Sequence, residues 1–271
     1  MIDVQIVERH GNLVTFKLRY PLVIHAELMT HRMFSRNAQS NRAMPASKLR
    51  AEVEVEPYKP ELWLSNKSGM QPNNEVISNP EAADLEWNRA KAVALDAHAK
   101  LERYGVHKQW TNRLLMPYQH ITVLVTATDW DNFFQLRCAP DAQYEIQQLA
   151  CAMRDEMDRT DNTIIGVNDV WHLPFIEYDD LEVIDDYNTL ALISAARCAR
   201  VSYNNLDGSK PDINKDLELA HKLADAGHMS PFEHQARRSD NVDNFNITRN
   251  GELYSNNFHT PWVQFRSELN G

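Results

Sequence analysis

The sequence predicts an α+β fold, a mixed or antiparallel sheet with helices packed on it. Three observations point there. Alternating and helically periodic segments are interspersed without a βαβ rhythm. Glycine is scarce, 8 of 271 residues, and neither G-x-G-x-x-G nor G-x-x-x-x-G-K-S/T occurs, so the doubly wound dinucleotide and P-loop readings lose their main support. Apolar residues make up 43% and charged residues 24%, a composition that builds a packed core rather than a disordered chain.

Val4–Val7 and Leu13–Leu18 flank Gly11-Asn12 and read as a β-hairpin that Pro21 ends. An apolar stretch, Leu22–Met29, leads into Thr30-His31-Arg32. Residues 51–83, with Glu52, Glu54, Glu56 and four prolines, read as an irregular excursion. Asn79-Pro80 supplies a cap and a first-turn proline for a helix that Gly105 closes. A second helix is expected over Lys108–Met116. Ile121, Val123 and Val125 alternate as a strand. Asp141–Met157 reads as a helix with Tyr144, Ile146, Leu149 and Met153 on its apolar side. Residues 158–187 read as a connector, followed by helices over Leu190–Ala199 and Ile213–Ala226, the latter stopped by Gly227. The polar tail from Arg237 carries Trp262 and Phe265 and is expected to dock.

The formal charge is −10, which disfavours general attraction to nucleic acid or an anionic membrane. Cys138, Cys151 and Cys198 are scattered, with no metal-binding Cys/His spacing, so neither structural zinc nor a secreted disulfide framework is expected. The N-terminal segment lacks a signal-peptide core. The apolar run at Ile121–Thr128 is too short to span a bilayer. A cytoplasmic protein without a metal is the expectation.

Against this acidic background, Leu28–Arg50 contains Arg32, Arg36, Arg42, Lys48 and Arg50 and no Asp or Glu. Guanidinium forks beside Ser35, Asn37, Ser40 and Asn41 suit a phosphate monoester. The same residues could also form a solvated basic face paired with Glu52, Glu54 and Glu56.

Their order adds to this. His31-Arg32-x-x-Ser35-x-Asn37-x-x-Ser40-x-Arg42 resembles most of the Arg-His-Arg-x-x-Ser-x-Asn-x-x-Ser-x-Arg signature of the flavin-dependent thymidylate synthases. Pro21-Leu22-Val23-Ile24 resembles the apolar strand before it. Arg113-x-x-x-Pro117, Asn132-Phe133-Phe134-Gln135-Leu136-Arg137 and Ala142-Gln143-Tyr144-Glu145-Ile146 resemble the family's late region. Ala199-Arg200-Val201-Ser202-Tyr203 and Gly227-His228-Met229-Ser230-Pro231-Phe232-Glu233-His234 resemble its opening region. That last pair comes first in the family and near the C-terminus here. The resemblance therefore implies a circularly permuted single domain over 1–271. Residues 188–236 are the family's first part, 13–50 its middle, 84–158 its end and 159–187 a new connector. Such a permutation should bring Pro231–His234 close to the start of the Leu13–Leu18 strand.

The resemblance implies transfer of a one-carbon unit from methylenetetrahydrofolate to C5 of dUMP, giving dTMP. FAD would be the cofactor, NADPH the reductant and a homotetramer the assembly. It places Arg137 at the pyrimidine as the catalytic cation, and Glu27, Ser40, Arg42 and Arg113 with it around the nucleotide. His31, Arg32, Ser35, Asn132, His228, Ser230 and Glu233 fall at flavin positions. Read as residues alone, Arg137 could instead pair with Asp141, Arg113 could be a surface charge, and His228 and Glu233 could serve helix ends. Thr30, Ala38, Glu27, Asp141, Thr126 and Thr128 depart from the family's pattern. They leave open a pyrimidine hydroxymethylase, a dCMP-directed enzyme or a non-catalytic nucleotide-binding relative.

Overall fold

The structure, a computed structural model, describes residues 1–72, 75–160, 163–201, 209 and 211–269. Ser202 and Tyr203 of the opening-region motif lie outside the described residues.

The expected hairpin forms from β1 (Asp3–His10) and β2 (Leu13–Pro21). Gly11 opens its two-residue loop at φ 61°, a left-handed conformation that glycine adopts without a Cβ penalty. The register slips at Val7, so Ile6 pairs with Phe16 but Glu8 pairs with Thr15. This bulge turns the rest of β1 over. Ile6 faces one side of the sheet with Phe16, while Glu8 and His10 face the other with Thr15 and Leu13.

Pro21 closes β2, but Leu22–Ile24 is a 3-10 turn, not the strand that the motif comparison suggested, and runs into α1 (His25–Leu28). Proline donates no amide, so ladder pairing stops there, and Leu22 N–H donates to Gln119 O at 2.9 Å instead. After β3 (Ser35–Ala38), α2 (Ala46–Val55) occupies the start of the supposed irregular excursion. Leu49 and Val53, one helical turn apart, are buried while Glu52 and Glu54 are exposed. The run of glutamates hid this two-residue stripe.

α3 (Pro80–Arg103) starts as expected, with Asn79 Oδ1 accepting from Ala82 N–H at 3.0 Å. The helix expected over 108–116 splits into α4 (Lys108–Thr111) and a 3-10 segment, Asn112–Tyr118, that contains Pro117. β4 (His120–Ala127) follows, then α5 (Asp131–Arg137), which periodicity did not reveal, and α6 (Tyr144–Arg159), which begins three residues after Asp141.

The supposed connector carries β5 (Trp171–His172) and α7 (Tyr178–Leu181), and buries Trp171, Leu173 and Ile176. α8 (Tyr187–Ala199) and α9 (Ile213–Asp225) are capped by Asp186 and Asp212. The tail docks as β6 (Ala236–Arg238), β7 (Ile247–Arg249), β8 (Glu252–Ser255), β9 (Phe258–His259), β10 (Trp262–Gln264) and α10 (Phe265–Leu269).

The main sheet runs β1-β2-β4-β3 and is antiparallel throughout. One face, with Val14, Phe16, Leu18, Val123 and Val125, packs on Phe133 of α5 and on Ile146, Leu149 and Met153 of α6. On the other face, Leu124 packs with Cys198, and Leu13 with Ala236, Phe258 and Trp262. Behind this layer α8 and α9 share a core with Phe232 and Phe265. Arg197 of α8 is 1% exposed. It donates to both oxygens of Asp180 at 2.6 and 2.8 Å, to Asp216 at 3.0 Å and to Phe175 O at 2.7 Å, tying α7, α8 and α9 together. Among the described residues no helix is long and apolar enough to cross a membrane.

Candidate functional site

The signature loop and α5 meet at one cavity of about 210 Å³, lined among others by Thr30, His31, Arg32, Phe34, Asn132, Phe133 and Arg137. Arg137 sits in the last turn of α5. Its Nε donates to His31 Nε2 at 3.0 Å and its Nη2 to Thr30 Oγ1 at 3.3 Å. Among the described residues it makes no ion pair with Asp141. Thr30, one of the departures from the family pattern, is thus a ligand of the guanidinium, where a second arginine would repel it. The His31 ring stacks on Phe34 and meets Phe133 edge-on, with centroids 5.7 and 4.8 Å apart. Arg36 Nη1 donates to Met29 O at 2.7 Å and His31 O at 3.3 Å, holding the loop from below.

Burial, then the charges of Arg137 and Arg36, depress the His31 pKa to about 4. His31 is therefore neutral at neutral pH and offers Arg137 a lone pair. Burial alone depresses His234 to about 3, and burial first depresses His120 to about 4 and also lowers His25. Fully buried His172 is lowered as well, by burial first, so just below the ordinary 6.5 the unfolded chain binds protons at these five imidazoles that the folded chain does not. Stability is therefore fully present above about pH 6.5 and is lost as pH falls through that window. Glu8 and Asp129, whose carboxyls burial raises, oppose this with at most two protons. Thermal melts should show a falling Tm from pH 6.5 to 4.5, and a shallower fall in His31→Gln. A Tm that rises on acidification would contradict this balance.

The expected phosphate ligands lie on two docked segments away from that cavity. Ser40 and Arg42 flank Asn41, whose carbonyl accepts from Asn112 Nδ2 at 2.8 Å and whose side chain donates to Gln119 at 2.9 Å. Arg113 follows Asn112 and lies over the Trp110 ring at 5.3 Å. All three are exposed. Glu27 is half-buried, and its Oε2 has no partner among the described residues.

The remaining expected flavin positions gather at the 3-10 turn Ser230–Glu233, which packs on β3. Ser35 is fully buried. Gln264 of the tail donates to Ser35 Oγ at 3.0 Å and to Glu233 O at 2.9 Å. Arg266 pairs with the Glu233 carboxylate. His228 and Ser230 are exposed. The tail thus holds two of these motif residues, and Arg249 reaches Met33 in the signature loop.

Next to Glu233, His234 is buried, and its Nδ1 lies 2.7 Å from Thr126 Oγ1. Thr126 in turn lies 2.7 Å from Thr15, and Thr15 is 2.7 Å from His172 Nε2. Thr126, another departure, is a link in this buried chain, and Thr128 accepts from His259 N–H of the tail at 2.9 Å. Sequence reasoning missed Glu8, His10, His172 and Gln264. Glu8-x-His10 shares a face only because of the bulge, and His172 sits in what read as a connector.

Two grooves continue from the cavity. One of about 800 Å³ shares Met33, Asp129 and Asn132 with it. Another of about 640 Å³ shares Asp129 and reaches His10.

No curated protein matches the chain. Among solved structures it is similar to a UMP/dUMP methylase, PolB, from Streptomyces cacaoi. In the form bound with 5-Br dUMP the TM-score is 0.45 at 21% identity, over 54% of this chain and 66% of that one. In the form bound with 5-Br UMP it is 0.46 at 22% identity, over 54% and 69%. The chain thus spans about two thirds of the length of these structures. A family profile matches residues 10–161, more than half of the 271, and takes in the signature loop, β4, α5 and α6. With the His31–Arg137 cavity inside the matched span, the chain belongs to the thymidylate synthase complementing protein family.

Proposed function

We propose that this chain is an enzyme that transfers a one-carbon unit from methylenetetrahydrofolate to C5 of dUMP, giving dTMP, with FAD as redox cofactor and NADPH as reductant. The observation that carries this reading is the meeting of His31 and Arg32 with Asn132 and Arg137 around one cavity, in a chain of this family.

The residues fit a flavin on one side. Arg32 and Asn132 are exposed polar groups on a cavity walled by Phe34 and Phe133, the mixture of donors and aromatic surface that a flavin nucleotide takes. FAD, when bound there, carries the reducing equivalents. His31 and Thr30 orient the Arg137 guanidinium. Arg137 then opposes negative charge that builds on the pyrimidine ring as C5 becomes nucleophilic, a preorganised donor rather than a proton carrier. Glu27 lies at the nucleotide. Ser40, Arg42 and Arg113 hold the 5′-phosphate, and their separation from the Arg137 cavity supports a site built from several copies, a homotetramer. His228, Ser230, Ser35 and Glu233 complete the flavin surround, two of them positioned by the tail.

We also read the chain as one cytoplasmic, circularly permuted domain. In support, Ala236, two residues past His234, packs on Leu13 at the start of β2, and His234 reaches β4 next to it.

The test is purification with an absorbance spectrum, FAD titration, and product analysis with dUMP and dCMP, methylenetetrahydrofolate and NADPH. A flavin spectrum with dTMP as product is expected. A hydroxymethylated product or turnover of dCMP only would move the assignment within the fold, and failure to bind FAD would overturn it.

A further inference from the structure

We propose that Glu8, His10 and His172 form a three-ligand site for a divalent transition-metal ion such as zinc, opening toward the cavity that His10 lines. One ligand atom from each of the three residues lies within 4.8 Å of the others, and all three residues are buried. His10 Nε2 and Glu8 Oε1 are 3.1 Å apart. Two ligands at ~2.1 Å from a tetrahedral ion sit roughly 3.4 Å from each other, a spacing that the Glu8–His10 pair nearly has and that His172 reaches by moving in from within 4.8 Å.

Two features point to a ligand. First, His172 Nδ1 is buried with no partner among the described residues, beside the buried Glu8 carboxylate, whose neighbours are His10 and the Leu173 backbone N–H. Leaving an imidazole nitrogen dry and unpaired next to a buried carboxylate is costly, and a cation between them offsets it. Second, His172 Nε2 is already bound, 2.7 Å from Thr15 Oγ1. Metal-ligating histidines are held in this way, with the second ring nitrogen fixed by a hydrogen-bonding neighbour.

Chain architecture supplies the rest. The bulge at Val7 places Glu8 and His10 on the face that meets β5, and His172 lies in β5. An ion there would join the first strand of the main sheet to the second layer. Two histidines and one carboxylate with a fourth position free is a donor set for zinc or ferrous iron. His10 borders the 640 Å³ cavity, which gives water or a small anion access to that position.

The experiment is Co²⁺ titration of the full chain after chelator dialysis, with metal analysis of the protein as purified. One equivalent is expected to bind and to give ligand-field bands of low coordination number. Two paramagnetically shifted, exchangeable imidazole proton signals should accompany it. Glu8→Gln and His172→Gln should each weaken binding by at least about 100-fold, and Thr15→Val by about 10- to 100-fold, with circular dichroism checking the fold. If a variant fails to fold, the wild-type bands and the histidine signals decide alone. A wild type that binds no Co²⁺, shows only the hexa-aquo spectrum, or is matched in affinity by folded Glu8→Gln overturns the site. These readouts need no flavin or turnover, so they stand apart from the proposed activity.

Discussion

Arg197→Ala is expected to be the most destabilising single substitution in the chain, costing about 3–5 kcal/mol. The guanidinium is 1% exposed and joins Asp180 to Asp216. Removing it leaves two buried carboxylates facing each other without their shared cation, and frees the Phe175 carbonyl. Neighbouring Arg200 still reaches Asp216 from a more exposed position, so the loss should be felt most at Asp180. Denaturant unfolding measures it directly. A change below about 1 kcal/mol would mean that water or Arg200 replaces the missing charge. Arg197→Met, which keeps the length but not the charge, should be little better than alanine, because both carboxylates remain.

The second large effect is on turnover. Arg137→Ala in folded, flavin-loaded protein should lower kcat by about 100- to 1000-fold, roughly 2.7–4 kcal/mol, the usual cost of one preorganised donor. Arg42→Ala and Arg113→Ala should instead raise the KM for nucleotide, because a phosphate is unchanged by the reaction. Arg137→Lys keeps the charge but cannot reach His31 and Thr30 together with a planar fork, so rescue should be partial. Asp141→Ala should leave turnover intact, since Arg137 bonds to His31 and Thr30. An unchanged kcat in Arg137→Ala would remove Arg137 from the pyrimidine end of the site.

Much of this was readable from the chain. The hairpin announced itself through Gly11-Asn12, α3 through Asn79-Pro80 and Gly105, and α9 through its apolar stripe and Gly227, all local signals that depend on nearest neighbours along the sequence. The signature spacing brought His31 and Arg32 forward, and the Asn132–Arg137 stretch brought Arg137. What escaped depends on contacts between distant residues. β5 has two residues and no period to detect. α2 shows only Leu49 and Val53 to its core. The engagement of Ser35 and Glu233 by Gln264 and Arg266 cannot be seen without knowing where the tail returns. Thr30, Thr126 and Thr128 read as losses from a motif, but each has acquired a hydrogen-bonding partner of its own.

The reach of Gln264 has a consequence in time. Its side chain meets Ser35 across 229 positions of sequence, and Leu13 is covered by Ala236, Phe258 and Trp262. On the ribosome the hairpin is complete once Pro21 has emerged. The layer that shields its second face begins to emerge only with Ala236. Throughout elongation Leu13, Thr15 and the rest of that face remain open, and closing so long a loop is slow compared with local pairing. Emergence of that layer, not growth of the segment before it, should therefore set when protease resistance appears at the hairpin.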